Sequence, residues 1–160
     1  MVHEHQDEVF GIALRMLGDR DAANDVTSIV FLKAYRAFGR YDQSRPARHW
    51  LLRIAVNECI SAGRARTREQ AHRAGPDDAL SVADRAPLPD EATIAREDRA
   101  RVRHAVADLA EPYRTVTVLR YFSGLTIDEI AAVTGRPSST IGVQLLRARA
   151  LLRRSLEVTA

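Results

Sequence analysis

The chain has 160 residues, 46% of them hydrophobic and 28% charged, with a formal net charge of +3; that is the make-up of one ordinary globular domain or two small ones, not of a disordered chain. No run of about 18 apolar residues is present, so a membrane-spanning helix is excluded, and the opening MVHEHQDEVF has no apolar signal core. One cysteine, Cys59, excludes an intrachain disulfide framework, and a cytoplasmic protein is expected.

In chain order every segment reads as helix, with no sustained period-two alternation. The first helix is expected over about 4–17, with Val9, Ile12, Ala13, Met16 and Leu17 on one face and Gly18 as its stop. Asp19 or Asp21 can cap a second helix over about 21–38, whose stripe is Val26, Ile29, Val30, Lys33, Ala34 and Ala37. After the turn GRYDQSRP a third helix is expected over about 47–66, completing a compact three-helix bundle. Residues 69–90 lack a sustained apolar period and contain Pro76, Pro87 and Pro89, which predicts a linker; the alternative is a short helix around 78–85. In the second half, Ile94, Val102, Ala105, Val106 and Leu109 mark a helix that stops before Pro112. Tyr113, Val116, Leu119 and Phe122 mark the next, and Gly124 breaks it. Thr126 and Glu129 have capping-box spacing for a short helix with Ile127, Ile130 and Ala131. The turn TGRP follows, Ser138 or Ser139 caps, and the last helix runs to about 156. The expected fold is all-α: an N-terminal bundle (1–68), a linker (69–90), and a C-terminal four-helix domain with a helix-turn-helix (91–160).

Charge is distributed unevenly. Arg64, Arg66, Arg68 and Arg73 form one basic cluster, and Arg136, Arg147, Arg149, Arg153 and Arg154 a second, with no acid between Ile130 and Leu156. An acidic stretch over 77–98 separates them. Two basic ends predict two surfaces that meet a polyanion; solvated helix faces are the alternative.

A short capped helix, a glycine turn and a longer helix form the helix-turn-helix pattern, whose second helix enters the major groove. On the last helix Ile141, Leu145, Ala148 and Leu152 share one face. Ser139, Val143, Leu146, Arg147 and Arg154 fall opposite, with Thr140 and Gln144 on the flank. A helical hairpin inside an unrelated bundle is the alternative. On the third helix Arg53, Asn57, Ser61, Arg64 and Arg68 fall on one stripe; an Asn flanked by arginines can read a base edge while the arginines neutralise phosphates. Trp50 reads as a core anchor. The five histidines have no metal-ligand spacing beyond His3-x-His5 near the terminus, and no phosphate loop or nucleophile motif is present. Neither a metal, a cofactor nor an enzymatic activity is expected.

The stretches HQDEVFGIALRMLGDRDAANDV, FLKAYRAFGRYDQSRPARHWLLRIAVNECIS and LAEPYRTVTVLRYFSGLTIDEIAAVTGRPSSTIGVQLLRARALLRR resemble bacterial sigma factors of the sigma-70 family, specifically the extracytoplasmic-function (ECF) group. The resemblance covers residues 5–66 and about 91–154, with the two blocks in the family's order. It implies a protein that binds core RNA polymerase, through the clamp helices of the largest subunit and the flap of the other large subunit. It also implies recognition of promoter DNA at −35 and −10 elements, melting of the latter, and control by an anti-sigma factor. By position it assigns Asn57 and the turn Phe38 to Asp42 to capture of an unstacked −10 base and Arg48, Arg53, Arg64 and Arg66 to the backbone there; Ser61, on the same stripe, is expected on the −10 DNA-binding side with them. Arg136, Ser139, Thr140, Val143, Gln144, Arg147 and Arg149 take the −35 reading positions, and Asp25, Phe31 and Leu32 the polymerase clamp contact. The chain departs from the family pattern at Ser28 and Ile29, where a Gln-Glu pair is usual. It departs again at Gly142, Val143 and Gln144, where two basic residues flank a small polar one, and at Ser61, where an acid is common. A stand-alone helix-turn-helix regulator and a sigma-like protein-interaction module are the alternative readings.

Overall fold

The computed structural model describes residues 2–73 and 91–158. All regular structure among them is helical, and the expected linker lies outside them except for its first five residues. The alternative helix at 78–85 and the side chain of Ile94 also lie outside the described residues.

The first three helices form the predicted bundle. α1 (Val2–Leu17) stops at Gly18, whose φ of 68° is in the left-handed region where a side chain would be strained. Asp19, rather than Asp21, caps α2 (Arg20–Ala37): its carboxylate accepts the N–H of Asp21 at 2.9 Å. A 3₁₀ turn, Phe38–Arg40, ends it. α3 (Ala47–Arg73) runs well beyond the expected end near 66. Its extra turns, TREQAHR, contain no glycine or proline and mostly good helix formers, so nothing local stops the helix before Gly75 and Pro76. Val9, Ile12, Ala13 and Met16 of α1 pack against Val26 and Val30 of α2 and Leu51, Leu52, Ala55, Val56 and Cys59 of α3. Ile29, expected in the buried stripe of α2, is 41% exposed, because the face that packs is Ala23, Val26, Thr27, Val30 and Ala34. Lys33 is likewise outside, paired with Glu58 of α3.

The second half follows the predicted order with one irregularity. After α4 (Glu91–Ala107), α5 (Tyr113–Thr117) widens without interruption into a π-helical turn, Val118–Phe122, closed by Ser123 N–H on Val118 O at 3.1 Å. α6 (Ile127–Thr134) has the full capping box: Thr126 Oγ1 accepts Glu129 N–H at 3.1 Å, and the Glu129 carboxylate accepts Thr126 N–H at 3.0 Å. Gly135, at φ 73°, turns the chain into α7 (Ser138–Val158). Ser138 does not act as a free cap; its hydroxyl donates to Asp128 Oδ1 at 2.6 Å and ties α7 to α6.

The two halves share one apolar cluster, in which Val116, Val118, Leu119, Leu125, Ile130, Val133, Ile141 and Leu145 adjoin the bundle core. α6 lies on α3, and α4 and the π-turn lie on α1. Phe122 sits on the bare backbone of Gly11: a Cβ there would meet the ring at 2.6 and 2.8 Å. The Arg15 guanidinium covers the same ring at 3.5 Å from its centroid. Val102, expected in the core, is instead exposed beside a cavity of about 260 Å³ between α1, α4 and the π-turn.

Candidate nucleic-acid interface

Residues on α3 divide by helical phase. Arg53, Asn57, Ser61, Arg64 and Arg68 are all exposed along one side, and among the described residues none of the three arginines is in an ion pair. The Arg53 guanidinium lies against the helix-turn-helix turn, 3.5 Å from the position a Cβ on Gly135 would take. Arg48 and Arg66 point elsewhere. Arg48 binds Glu8 at 2.7 Å and donates to Ser123 O at 2.7 Å, and the Glu8 hydrogen bond raises its pKa. Arg66 donates to Leu17 O at 2.8 Å and pairs with Asp19 at 3.4 Å. Beside Arg48, His49 Nε2 meets Glu129 Oε2 at 2.9 Å, a second polar link between the halves. The N–H of Thr126, and then His49, hold the Glu129 carboxyl below its ordinary pKa.

Next to the start of α3 is an apolar cavity of about 660 Å³, lined by Phe31, Ala34, Tyr35, Phe38, Trp50 and Leu51 among others. Tyr41 stacks at a tilt between Phe38 (6.2 Å) and Trp50 (4.8 Å). Asp42 shapes this turn, accepting the N–H and hydroxyl of Ser44 at 3.0 and 2.7 Å, and those bonds lower its pKa. The outer face of α2 continues the apolar surface: Ile29, Leu32 and Tyr35 (83% exposed) flank the exposed Asp25, and Phe31 is half-buried.

On α7 the expected division of faces holds. Ile141, Leu145 and Ala148 are buried, while Ser139, Val143, Leu146 and Arg147 are exposed, Leu146 to 69%. Thr140 and Gln144 are on the flank, half-buried, and Arg136 donates to Gln144 Oε1 at 3.5 Å. Arg149 turns away from this face and binds the hydroxyl and ring of Tyr121.

Residues 1–69 match the family model of Sigma-70 region 2, and residues 99–152 that of Sigma-70 region 4. The RNA polymerase sigma-H factor of Pseudomonas aeruginosa is 31% identical, over 98% of this chain and 84% of that protein. The ECF RNA polymerase sigma factor SigW of Bacillus subtilis is 30% identical, over 98% of this chain and 87% of its own length. The chain belongs to the ECF group of the sigma-70 family. As a sigma factor it binds core RNA polymerase and directs initiation at promoters. CnrH, solved in complex with the cytosolic domain of CnrY, superposes with a TM-score of 0.73 at 26% identity, covering 99% of this chain and 86% of that one. RpoE of Bartonella quintana, solved with the anti-sigma factor NepR, shares the fold at the same TM-score and 23% identity, over 99% and 96% of the two chains.

In this sigma factor the open faces of α3 and α7 gather most of the residues singled out from sequence; Arg48, Arg66 and Arg149 are engaged within the molecule. Helical phase carried the signal for two of these: Arg48 and Arg66 are five turns apart at 3.6 residues per turn, about 140° from Arg53. The sequence reading missed the aromatic group Phe38, Tyr41 and Trp50 as a unit. It also missed Tyr35 and put Ile29 on the buried face; the i, i+3 spacing of Ile29, Leu32 and Tyr35 marks an apolar stripe that the bundle does not cover. No helix among the described residues is long and apolar enough to cross a membrane.

Proposed function

We propose that residues 1–68 and 91–160 act as separate domains that read the −10 and −35 elements of one promoter. The observation that carries this reading is the pair of exposed faces on α3 and α7, in which Arg53, Arg64, Arg68 and Arg147 find no carboxylate partner among the described residues. Such faces gain affinity by releasing counterions from phosphates. On α3, Asn57 reads a base edge, the arginines hold backbone, and the aromatic cavity at Phe38 and Trp50, against which Tyr41 stacks, accepts a base taken out of the stack, which offsets the few kcal/mol that unstacking costs. On α7, Thr140, Val143 and Gln144 face base edges and Arg136 and Arg147 hold the groove walls. The apolar outer face of α2, with Asp25, Phe31, Leu32, Ile29 and Tyr35, docks on the polymerase clamp.

Size dictates a conformational step. A packed chain of this length is about 40 Å across. Elements about 25 base pairs apart lie about 85 Å apart on B-form DNA at 3.4 Å per pair. The contacts of Arg48 with Ser123, His49 with Glu129, and Phe122 with Gly11 must therefore part before both elements are read together. The solved complexes of CnrH and RpoE support an anti-sigma partner for the packed form. The protein works in the cytoplasm as a subunit of the holoenzyme, without a catalytic reaction or cofactor of its own. Mapping the 5′ ends of transcripts made on genomic DNA by core polymerase plus this protein tests the reading: shared −10 and −35 sequences are expected upstream of the starts, and random starts would refute it.

A further inference from the structure

We propose that a notch between the start of α5 and the exposed face of α7 seats one phosphodiester of the −35 duplex, with the Tyr113 hydroxyl as a donor to it. This rests on the −35 reading above and adds a residue to it. The notch is about 360 Å³, and its walls include Tyr113 on one side and Ser139, Thr140, Val143, Gln144 and Arg147 on the other. Four of those six side chains end in a hydroxyl or a guanidinium, and none is acidic. Among the described residues the side chains of Tyr113, Ser139, Thr140 and Arg147 make no hydrogen bond or ion pair with one another or with anything else.

The neighbouring charges are already committed. Glu111, two positions before Tyr113, is turned inward: one carboxylate oxygen accepts Arg114 Nε at 2.9 Å and the other accepts from Thr115. Arg114 also donates to Ala107 O at 3.1 Å, so it leaves the notch to Tyr113. A space lined by donors, bordered by a free arginine and cleared of carboxylates attracts an anion, and it opens beside the residues that face base edges. On a duplex the anion at the rim of the major groove is the backbone phosphate. A contact there fixes how α7 lies in the groove without reading sequence. Gly142 and Val143 offer α7 little polar grip of its own, and a phosphate held from the α5 side compensates for that.

The test uses holoenzyme reconstituted from core polymerase and the full chain, on a promoter fragment taken from the 5′-end map. Binding is measured over a salt series, with single methylphosphonates placed through the −35 element. Tyr113→Phe keeps the ring and removes only the hydroxyl. It is expected to weaken binding about tenfold, the effect of losing a hydrogen bond to a charged group. The loss should be the same for every −35 base variant, with an unchanged salt slope, because a neutral hydroxyl releases no counterion. One methylphosphonate position should weaken the wild type and have no further effect on Tyr113→Phe. Arg147→Ala, in contrast, should flatten the slope by roughly one unit. If Arg147→Ala loses affinity while Tyr113→Phe binds like wild type at every salt, the notch proposal is overturned and the −35 reading stands. If Tyr113→Phe alters base preference, the hydroxyl touches a base and the phosphate assignment is wrong. If neither variant nor any methylphosphonate in the element changes binding, the −35 reading fails and the notch proposal fails with it.

Discussion

Gly11→Ala should stabilise one part of this molecule and loosen another. Gly11 lies in the interior of α1, where glycine costs about 1 kcal/mol relative to alanine. A methyl group there would sit 2.6 Å from Phe122 Cζ, so the ring must retreat by about 0.8 Å to reach the 3.4 Å of ordinary contact. The ring is also the platform for Arg15, whose pKa is lowered by burial and then by the nearby Arg103 guanidinium. Overpacking of this kind costs about 1–3 kcal/mol, and here it falls on the contact between the halves and not on either half alone. The bundle therefore gains about 1 kcal/mol from helix propensity, while docking loses a similar or larger amount, a shift of about tenfold or more toward the open form. Small-angle scattering should show a larger radius of gyration, and denaturant unfolding should separate into two transitions, the later one assigned to α1–α3. A single sharper transition at higher denaturant, with unchanged dimensions, would show that Phe122 on Gly11 does not hold the halves together.

Other outcomes follow from the same contacts. Thr126→Ala removes the capping box of α6 and should cost about 1 kcal/mol, read as a lower melting temperature of the C-terminal half. The Glu129 carboxyl has a lowered pKa, so its contribution is complete above the ordinary carboxylate range and is lost as pH falls through the lowered value. An acid titration should weaken the α6 cap first and the His49 link second, so wild type should lose stability in acid with a smaller acid-dependent component in Glu129→Gln. Burial, then Glu111 and Glu58, push the Cys59 thiol up to about 12. Iodoacetamide at pH 8 should leave the native protein unlabelled and modify it in denaturant; rapid native labelling would contradict the buried position. Asn57→Ala should reduce discrimination at one −10 position by about 1–3 kcal/mol, measured as relative transcription from base-substituted promoters.

Most of the secondary structure was legible because its determinants are local. Gly18, Gly124 and Gly135 end or turn segments with positive φ, and the Thr126–Glu129 spacing formed the expected box. The end of α3 was not legible from apolar periodicity, because residues 67–71 are exposed and have no core face to repeat. The π-helical turn was equally hidden: Val116, Val118 and Leu119 fit an ordinary helix, and the widening shows only in where Ser123 places its hydrogen bond. On α7 the buried and open faces followed directly from i, i+4, i+7 spacing. On α3 the family resemblance groups Arg48 and Arg66 with the open arginines, and helical phase separates them.

Docking of the halves was the least legible feature, since it joins residues from distant parts of the chain across one shared apolar cluster. One local anomaly points toward it: a glycine inside a well-patterned amphipathic helix needs a reason, and Phe122 supplies it. Arg48 to Ser123, His49 to Glu129 and one aromatic ring are polar or solitary contacts at an edge, though the apolar cluster continues beneath them. Any partner that binds only the open form does so with its affinity reduced by the open fraction, a factor of ten for each 1.4 kcal/mol of docking. On the proposed reading polymerase engages both domains at once and can supply that difference from two surfaces. A short duplex carrying one element has only one surface to draw on. Free protein should therefore bind isolated −10 or −35 DNA far more weakly than the holoenzyme binds the promoter, and Gly11→Ala should narrow that gap if docking is what sets it.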